Sequence, residues 1–131
     1  HQWMTDGDLN EFQKRSSTLT EQFNKIGHDG VLTLGENTAD LVGLTFAYHA
    51  AFPDGQATVE QKKNFFLQFA RVWCYTARPT MIARLLKTDS HSMGSARTNE
   101  QMKHQAAFAE AFQCHEGDAM YLPPTARTKI W

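Results

Sequence analysis

Glu36 and Asp40 are the pair of carboxylates whose spacing is best suited to chemistry. Residues four apart on a helix project from one face, one turn apart. One carboxylate of such a pair can bind a metal ion while the other orients a neighbouring histidine ligand through its ring N–H. Acid pairs at this spacing also occur on solvated helix surfaces, where an acid near the N-terminus is favoured by the helix dipole. The pair alone leaves both interpretations open.

A polar segment from Lys87 to Arg97 contains a second set of candidates, namely Asp89, His91 and Arg97. Its Ser, Thr, Asp and Gly content predicts an irregular loop, and loops carry a large share of functional groups. A histidine can stabilise an oxyanion by hydrogen bonding, an acid can orient that histidine, and a guanidinium can hold a carbonyl with a fork of donors. A solvated polar loop without a role in chemistry is the alternative.

Other chemistry has less support in the sequence. The histidines form no H-E-x-x-H pair, the usual partner of a downstream glutamate ligand, and there is no G-x-S-x-G segment for a nucleophilic serine. The two cysteines, Cys74 and Cys114, lack C-x-x-C spacing. A single disulfide and two buried thiols are both compatible with them.

The composition is ordinary for a globular chain of 131 residues, with 41% hydrophobic residues. Thirteen basic residues nearly balance 14 acidic ones, and they are scattered, so no electrostatic footprint for nucleic acid is visible. No apolar stretch reaches the roughly 18 residues of a membrane span, and the N-terminus has no signal-peptide pattern.

Periodicity and helix-end signals predict a mainly α chain of about five helices in one structural unit, residues 1–131. The third helix is expected to begin with a capping box at Thr58 and Gln61 and, because its apolar stripe is broad, to be central in the core. Pro79 suits the first turn of the fourth helix. The predicted helices run from about Asp8 to Ile26, Gly35 to Phe52, Thr58 to Ala77, Thr80 to Leu86 and Asn99 to Phe112.

Several segments together resemble the neprilysin and PepO family of zinc endopeptidases. Leu34-Gly35-Glu36-Asn37-Thr38-Ala39-Asp40, followed by Gly43-Leu44, is similar to the family signature L-G-E-N-x-A-D-x-x-G-L. Further matches, in order and spacing, are Asp6 to Leu9, Phe65 to Leu67 with Phe69-Ala70, Val72-Trp73-Cys74, Arg78-Pro79, Lys87-Thr88-Asp89, His91-Ser92, Gly94, Arg97, Phe108 to Phe112, Cys114 and Trp131. The resemblance covers nearly the whole chain and implies the C-terminal portion of a thermolysin-like (gluzincin) catalytic domain.

The resemblance implies a role for each matching residue. Glu36 is expected to be the third zinc ligand, and Asp40 to orient a zinc-bound histidine. His91 is expected to stabilise the oxyanion of the tetrahedral intermediate, with Asp89 as its orienting partner. Arg97 is expected to bind a backbone carbonyl of the substrate. Val72 and Trp73 match residues that line the pocket for the side chain after the scissile bond.

The implied activity is zinc-dependent hydrolysis of peptides on the amino side of hydrophobic residues, outside the cell or in the periplasm. The two zinc histidines and the general-base glutamate of H-E-x-x-H are not in this sequence, so the chain alone is expected to hold zinc weakly and to be inactive. Its expected partners are peptide substrates and the N-terminal part of the same protein. The apolar surface left by that part's absence can also support self-association.

Two departures from the family pattern affect these expectations. Met93 stands where many relatives have proline, which changes the stiffness of the loop. The cysteines matching Cys74 and Cys114 bond in animal relatives to partners in the N-terminal part, so both are expected to lack those partners here. The rival interpretations are a helical binding module without catalysis and an autonomous zinc hydrolase with local ligands such as His28 and His91.

Overall fold

The computed structural model describes residues 3–130, so the terminal Trp131 of the family resemblance lies outside the described residues. Within that range the chain forms six α-helices, one short 3-10 helix and no strand. None of these helices is long and apolar enough to cross a membrane. They are α1 (Asp6–Lys25), α2 (Leu34–Ala51), α3 (Val59–Val72), α4 (Pro79–Thr88), α5 (Gly94–Met102), α6 (Ala106–Phe112) and the 3-10 helix Pro124–Ala126.

Local sequence signals place the starts of α3 and α4 correctly. The Thr58 hydroxyl accepts from the Gln61 backbone N–H at 3.2 Å, and the Gln61 side chain accepts from the Thr58 N–H at 2.8 Å. This reciprocal pair is the predicted capping box. Pro79 occupies the first turn of α4, where its missing N–H costs nothing.

The predicted fifth helix, Asn99 to Phe112, is wrong as one continuous element. The chain leaves α5 after Met102 because the His104 ring turns inward. There it lies 2.7 Å from the Gln22 amide oxygen and accepts from the Thr128 backbone N–H at 2.9 Å. These tertiary hydrogen bonds break the helix, so residues 3–130 form six α-helices where five were expected.

The predicted loop from Lys87 to Arg97 is also wrong in extent, because only residues 89–93 lie between helices α4 and α5. Arg97 therefore lies on α5 and is held more rigidly than a loop residue. Gly94 permits this early start of α5, since a Cβ there would lie 2.3 Å from the Trp73 carbonyl oxygen. The predicted extension of α3 to Ala77 fails as well, since α3 ends at Val72.

The core consists of two hydrophobic clusters that share helices α2 and α5. One cluster joins α1 and the C-terminal segment to these helices, and the other joins α3 and α6 to them. The prediction that the third helix is central is therefore wrong, because α2 and α5 occupy the centre. The buried members are Leu19, Phe23, Leu41, Ala96 and Ile130 in the first cluster, and Leu44, Phe66, Met102 and Phe108 in the second.

Helix α3 instead leaves much of its apolar stripe exposed. Phe66 is its one fully buried residue, while Val72 is 74% exposed. Phe52, Phe65, Phe69 and Val72 border an open groove of about 480 Å³. The broad apolar stripe thus reflects two packing faces, only one of which is covered within the described residues.

Cys74 and Cys114 are both free thiols in the structure. Cys74 is exposed, so it is not the buried thiol that one of the open alternatives required. Cys114 packs against the second cluster, and burial raises the pKa of its thiol.

Candidate active site

Helices α2 and α5 bring Asp40 and Arg97 together in a bidentate ion pair. Arg97 Nε donates to Asp40 Oδ2 at 2.7 Å, and Arg97 Nη2 donates to Oδ1 at 2.7 Å. The side chains are only 10% and 16% exposed for Asp40 and Arg97, respectively. This fork geometry is one that arginine forms and lysine cannot.

The Trp73 ring covers one face of the Arg97 guanidinium, with 3.7 Å from Cζ to the ring centroid. Such stacking restricts the guanidinium further. Asp40 takes hydrogen bonds from two of the five N–H groups of Arg97. Within residues 3–130, the Nη1 edge has no hydrogen-bond partner and is available to an external acceptor such as a carbonyl oxygen.

Asp89 and His91 form a compact unit in the segment between α4 and α5. One carboxylate oxygen of Asp89 accepts from the His91 backbone N–H at 2.9 Å and lies 2.9 Å from His91 Nδ1. These hydrogen bonds, the backbone one first, lower the pKa of the Asp89 carboxyl. Because an ionised carboxylate only accepts, Nδ1 carries the hydrogen of this contact. Asp89 therefore orients the His91 ring.

Glu36 lies in the first turn of α2 and faces the same histidine. Its Oε2 atom is 3.4 Å from His91 Nε2, a contact between two side chains that are 42% and 46% exposed. In the described part of the chain, Glu36 pairs with no lysine or arginine. A partly exposed carboxylate without a fixed cation fits the role of one zinc ligand.

One ligand does not make a zinc site. Among residues 3–130, no group of three or more His, Cys, Asp or Glu side chains is arranged to hold a metal ion. Zinc sites of catalytic type take three protein ligands. The described residues therefore offer a zinc ion one candidate donor, Glu36, and would have to share the site with ligands from elsewhere.

Val72 and Trp73, expected to line one substrate pocket, border different depressions here. Trp73 lines a cavity of about 410 Å³ together with Tyr75, Ile82, Met93 and Gly94. Val72 lines the α3 groove described above. The described residues therefore bring Trp73, but not Val72, next to the Asp40–Arg97 pair.

Three residues at this site had no role in the leading interpretation of the sequence, although His28 was named as a local zinc ligand in a rival one. Asn37 is 1% exposed and accepts a hydrogen bond from the Ser92 hydroxyl at 2.7 Å. His28 Nε2 accepts from the Met93 backbone N–H at 3.0 Å. Asn37 and Ser92 stand inside the matching motifs, immediately after Glu36 and His91, and that adjacency was the available signal. His28 had no comparable signal, because its partner is a backbone group distant in sequence.

Comparisons with known proteins identify the family of this site. Residues 1–128 match the sequence profile described as Peptidase family M13. The chain is 33% identical to neprilysin of Homo sapiens over 147 aligned positions, covering 98% of this chain and 19% of that protein. It is 33% identical to a neutral endopeptidase of Lactobacillus helveticus, covering 98% of this chain and 20% of that protein.

A solved structure shows the same fold. It is the crystal structure of a zinc metalloprotease of Mycobacterium tuberculosis in complex with an inhibitor, with a TM-score of 0.86 and 31% sequence identity. The match covers 100% of this chain and 23% of that one. The chain belongs to peptidase family M13, as the neprilysin-like motifs indicated. It spans about a fifth of the length of the curated relatives it matches.

Proposed function

We propose that residues 1–131 are the C-terminal part of the catalytic domain of a zinc-dependent metalloendopeptidase. The observation that carries this proposal is the placement of Glu36 Oε2 opposite His91 Nε2 at 3.4 Å, in a chain of family M13. The Asp40–Arg97 pair also joins α2 to α5. Four residues that the resemblance assigns to catalysis or binding thus lie in two adjoining pairs.

Each residue has a proposed task in peptide hydrolysis. Zinc, when bound, polarises the scissile carbonyl and activates water. Glu36 is one of its ligands. His91, oriented by Asp89, presents Nε2 beside Glu36, and a proton there makes the ring a donor to the oxyanion of the tetrahedral intermediate. Arg97 offers its Nη1 edge to a backbone carbonyl of the substrate.

Asp40 has a second proposed task besides holding Arg97. The resemblance assigns it the orientation of a zinc-bound histidine from the N-terminal part of the protein. Each carboxylate oxygen has two lone pairs, so both oxygens can accept one more hydrogen bond while they hold Arg97. Asp40 can therefore connect the zinc-binding side to the substrate-binding side of the cleft.

The proposed substrates are peptides, cleaved on the amino side of a hydrophobic residue. Trp73 is the proposed wall of the pocket for that side chain, since Val72 borders the separate groove on α3. We place the enzyme outside the cell or in the periplasm, on family resemblance. The isolated chain should bind zinc weakly and be inactive, because a single carboxylate cannot supply a three-ligand site.

The apolar groove on α3 supports a further part of this proposal. Its lining has almost no polar surface, and Val72 and Leu67 on the same helix are 74% and 46% exposed. Patches of this kind usually pack against another protein surface. The partner proposed here is the N-terminal part of the same protein, with self-association of the isolated chain as the alternative outcome.

The test is Glu36→Ala in the full-length enzyme, with zinc measured by elemental analysis and cleavage measured on a quenched peptide with a central Phe. Because even residues that only support metal ligands cost 10- to 100-fold, removing a ligand should lower activity by more than about a hundredfold and strip the zinc. The matched control is Glu60→Ala, which removes an exposed acid from the first turn of α3. Full zinc occupancy in Glu36→Ala would overturn the ligand assignment.

A further inference from the structure

We propose that Asn37 and Ser92 are positioning residues that set the separation of Glu36 and His91, an inference that rests on the proposed peptidase function. Neither touches the space between the two functional side chains. Both are buried, Asn37 to 1% and Ser92 to 5% exposure. Their hydrogen bond joins α2 to the segment 89–93 at a length of 2.7 Å.

The surrounding hydrogen bonds determine the direction of this contact. The Thr33 hydroxyl donates to the Asp29 carbonyl at 2.8 Å, so its oxygen is free to accept from Asn37 Nδ2 at 2.9 Å. The amide oxygen of Asn37 must then face Ser92, whose hydroxyl is the donor. Buried polar groups held in one direction in this way have a single arrangement, since reversing one bond leaves another group unpaired.

The backbone of Asn37 is held as well. Its carbonyl oxygen accepts from the side-chain amide of Gln101 at 2.9 Å, and Gln101 is fully buried on α5. Asn37 is therefore fixed through α2, through Thr33 and through α5. The segment 89–93 is therefore hydrogen-bonded, through Ser92, to a residue that cannot move easily.

Chain adjacency transmits this rigidity to the functional pair. Glu36 directly precedes Asn37, and His91 directly precedes Ser92. Consecutive Cα atoms are about 3.8 Å apart, so the Asn37–Ser92 bond fixes the two backbones that carry Glu36 and His91. In each element the first residue points to the site and the second points into the protein. Loss of the bond would free His91 to move relative to Glu36.

His28 and Gly94 fix the far side of the same segment. His28 Nε2 accepts from the Met93 N–H at 3.0 Å, and Gly94 packs closely against the Trp73 carbonyl. At the other end of the segment the Asp89 N–H donates to the Leu85 carbonyl of α4 at 2.9 Å, so Ser92 supplies the buried hydrogen bond that places residues 90–92 against α2. Ser92 is therefore the residue to change.

The first test uses amide hydrogen exchange in this chain and needs no activity. Ser92→Ala should accelerate exchange of the His91 and Met93 amides by about tenfold or more, because it leaves the Asn37 oxygen buried and unpaired. Exchange of the Leu19 and Phe23 amides in α1 should change only by the amount that any change in the unfolding free energy explains. Ser17→Ala is the matched control, since Ser17 is exposed on α1 and its hydroxyl bonds, among residues 3–130, only the Lys14 carbonyl of its own helix.

Thr33→Val is a milder second variant in case Ser92→Ala does not fold. It keeps Ser92 but removes the acceptor that orients the Asn37 amide, and it should accelerate exchange of the same two amides to a smaller extent. Unchanged exchange at His91 and Met93 in the variants that fold would overturn the inference.

The second test separates positioning from mere stability in the full-length enzyme. Ser92→Ala should lower kcat by about tenfold or more, with unchanged zinc content and a nearly unchanged KM, because misplacement of a group near the reacting centre acts on the chemical step. Ser92→Thr, which keeps the hydroxyl, should recover most of kcat. A Ser92→Ala enzyme with the kcat of Ser17→Ala would overturn the proposal. A wild-type enzyme without zinc-dependent cleavage would instead overturn the proposed function, and amide exchange would then decide the positioning inference alone.

Discussion

The two side-chain pairs that connect α2 to the region around α5 differ in how complete they are. Asp40 and Arg97 are nearly buried and make two hydrogen bonds of 2.7 Å, and Trp73 stacks on the arginine. Glu36 and His91 are 42% and 46% exposed and approach to 3.4 Å with no hydrogen bond between them. Asp40 and Arg97 thus satisfy each other within this chain. Glu36 and His91 are open to solvent and can still bind another group.

This difference shows which side chains the chain can fix in place without further ligands. A substrate-binding guanidinium works best when its orientation is fixed beforehand, because ordering it during binding costs free energy. A metal ligand needs the other ligands before its geometry is complete. Under the proposed function, the buried pair is oriented in advance for substrate, whereas the exposed pair requires zinc and the N-terminal part of the protein.

The largest expected effect is the difference in unfolding free energy between Arg97→Ala and Glu36→Ala in the zinc-free chain. Arg97→Ala leaves the Asp40 carboxylate nearly buried and unpaired, and the unfolding free energy should fall by about 3 to 5 kcal/mol. Glu36→Ala removes an exposed carboxylate and should change it by less than about 1 kcal/mol. Urea denaturation of both variants measures the contrast. Equal losses would show that the two pairs do not differ in the way described.

Lowering the pH should decrease the stability of helix α5, which carries Arg97, because His104 lies just beyond the end of that helix. Burial lowers the pKa of His104 from 6.5 to about 4. Between these values the unfolded chain binds the proton and the folded chain does not, so stability is complete above pH 6.5 and falls as the pH decreases toward 4. The loss should reach at most about 3 kcal/mol.

Urea denaturation at pH 7 and pH 5 measures this loss, with His104→Gln as the variant that removes the titrating group. The stability of His104→Gln should change less between the two pH values than that of the wild type. An identical pH dependence of the two proteins would exclude His104 as the source. A Glu36→Ala background should leave the His104 contribution unchanged, since the exposed pair lies at the other end of α5.

The smallest expected effect concerns the stacking of Trp73 on Arg97, a contact that the Glu36–His91 pair lacks. Trp73→Phe keeps an aromatic face under Arg97 but weakens the cation–π contact, which is worth about 0.5 to 2 kcal/mol. It also removes the indole N–H, which is buried without a hydrogen-bond partner among the described residues. The two changes oppose each other, so the unfolding free energy should fall by about 1 kcal/mol or less. Trp73→Leu, which removes the aromatic face, should cost more.

Sequence motifs predicted the family more accurately than periodicity predicted the bounds of the helices. The signature around Glu36 and Asp40 gave the family, which the profile match confirms. The roles of the individual residues stay predictions. Helix ends with side-chain signals, Thr58 and Pro79, were correct because those signals are local. The break after Met102 was missed because its cause, the bonds from His104 to Gln22 and Thr128, joins residues far apart in sequence.

The sequence by itself determined the family, the mainly helical class and the identity of the candidate residues, because motifs and capping depend on short spacings. Only the tertiary structure decided that Asp40 pairs with Arg97, that Asn37 holds Ser92, and that α2 and α5 form the centre in place of α3. These outcomes depend on which faces of the helices meet. Helical periodicity indicates that a face is apolar, whereas the packing of the helices against one another determines what covers it.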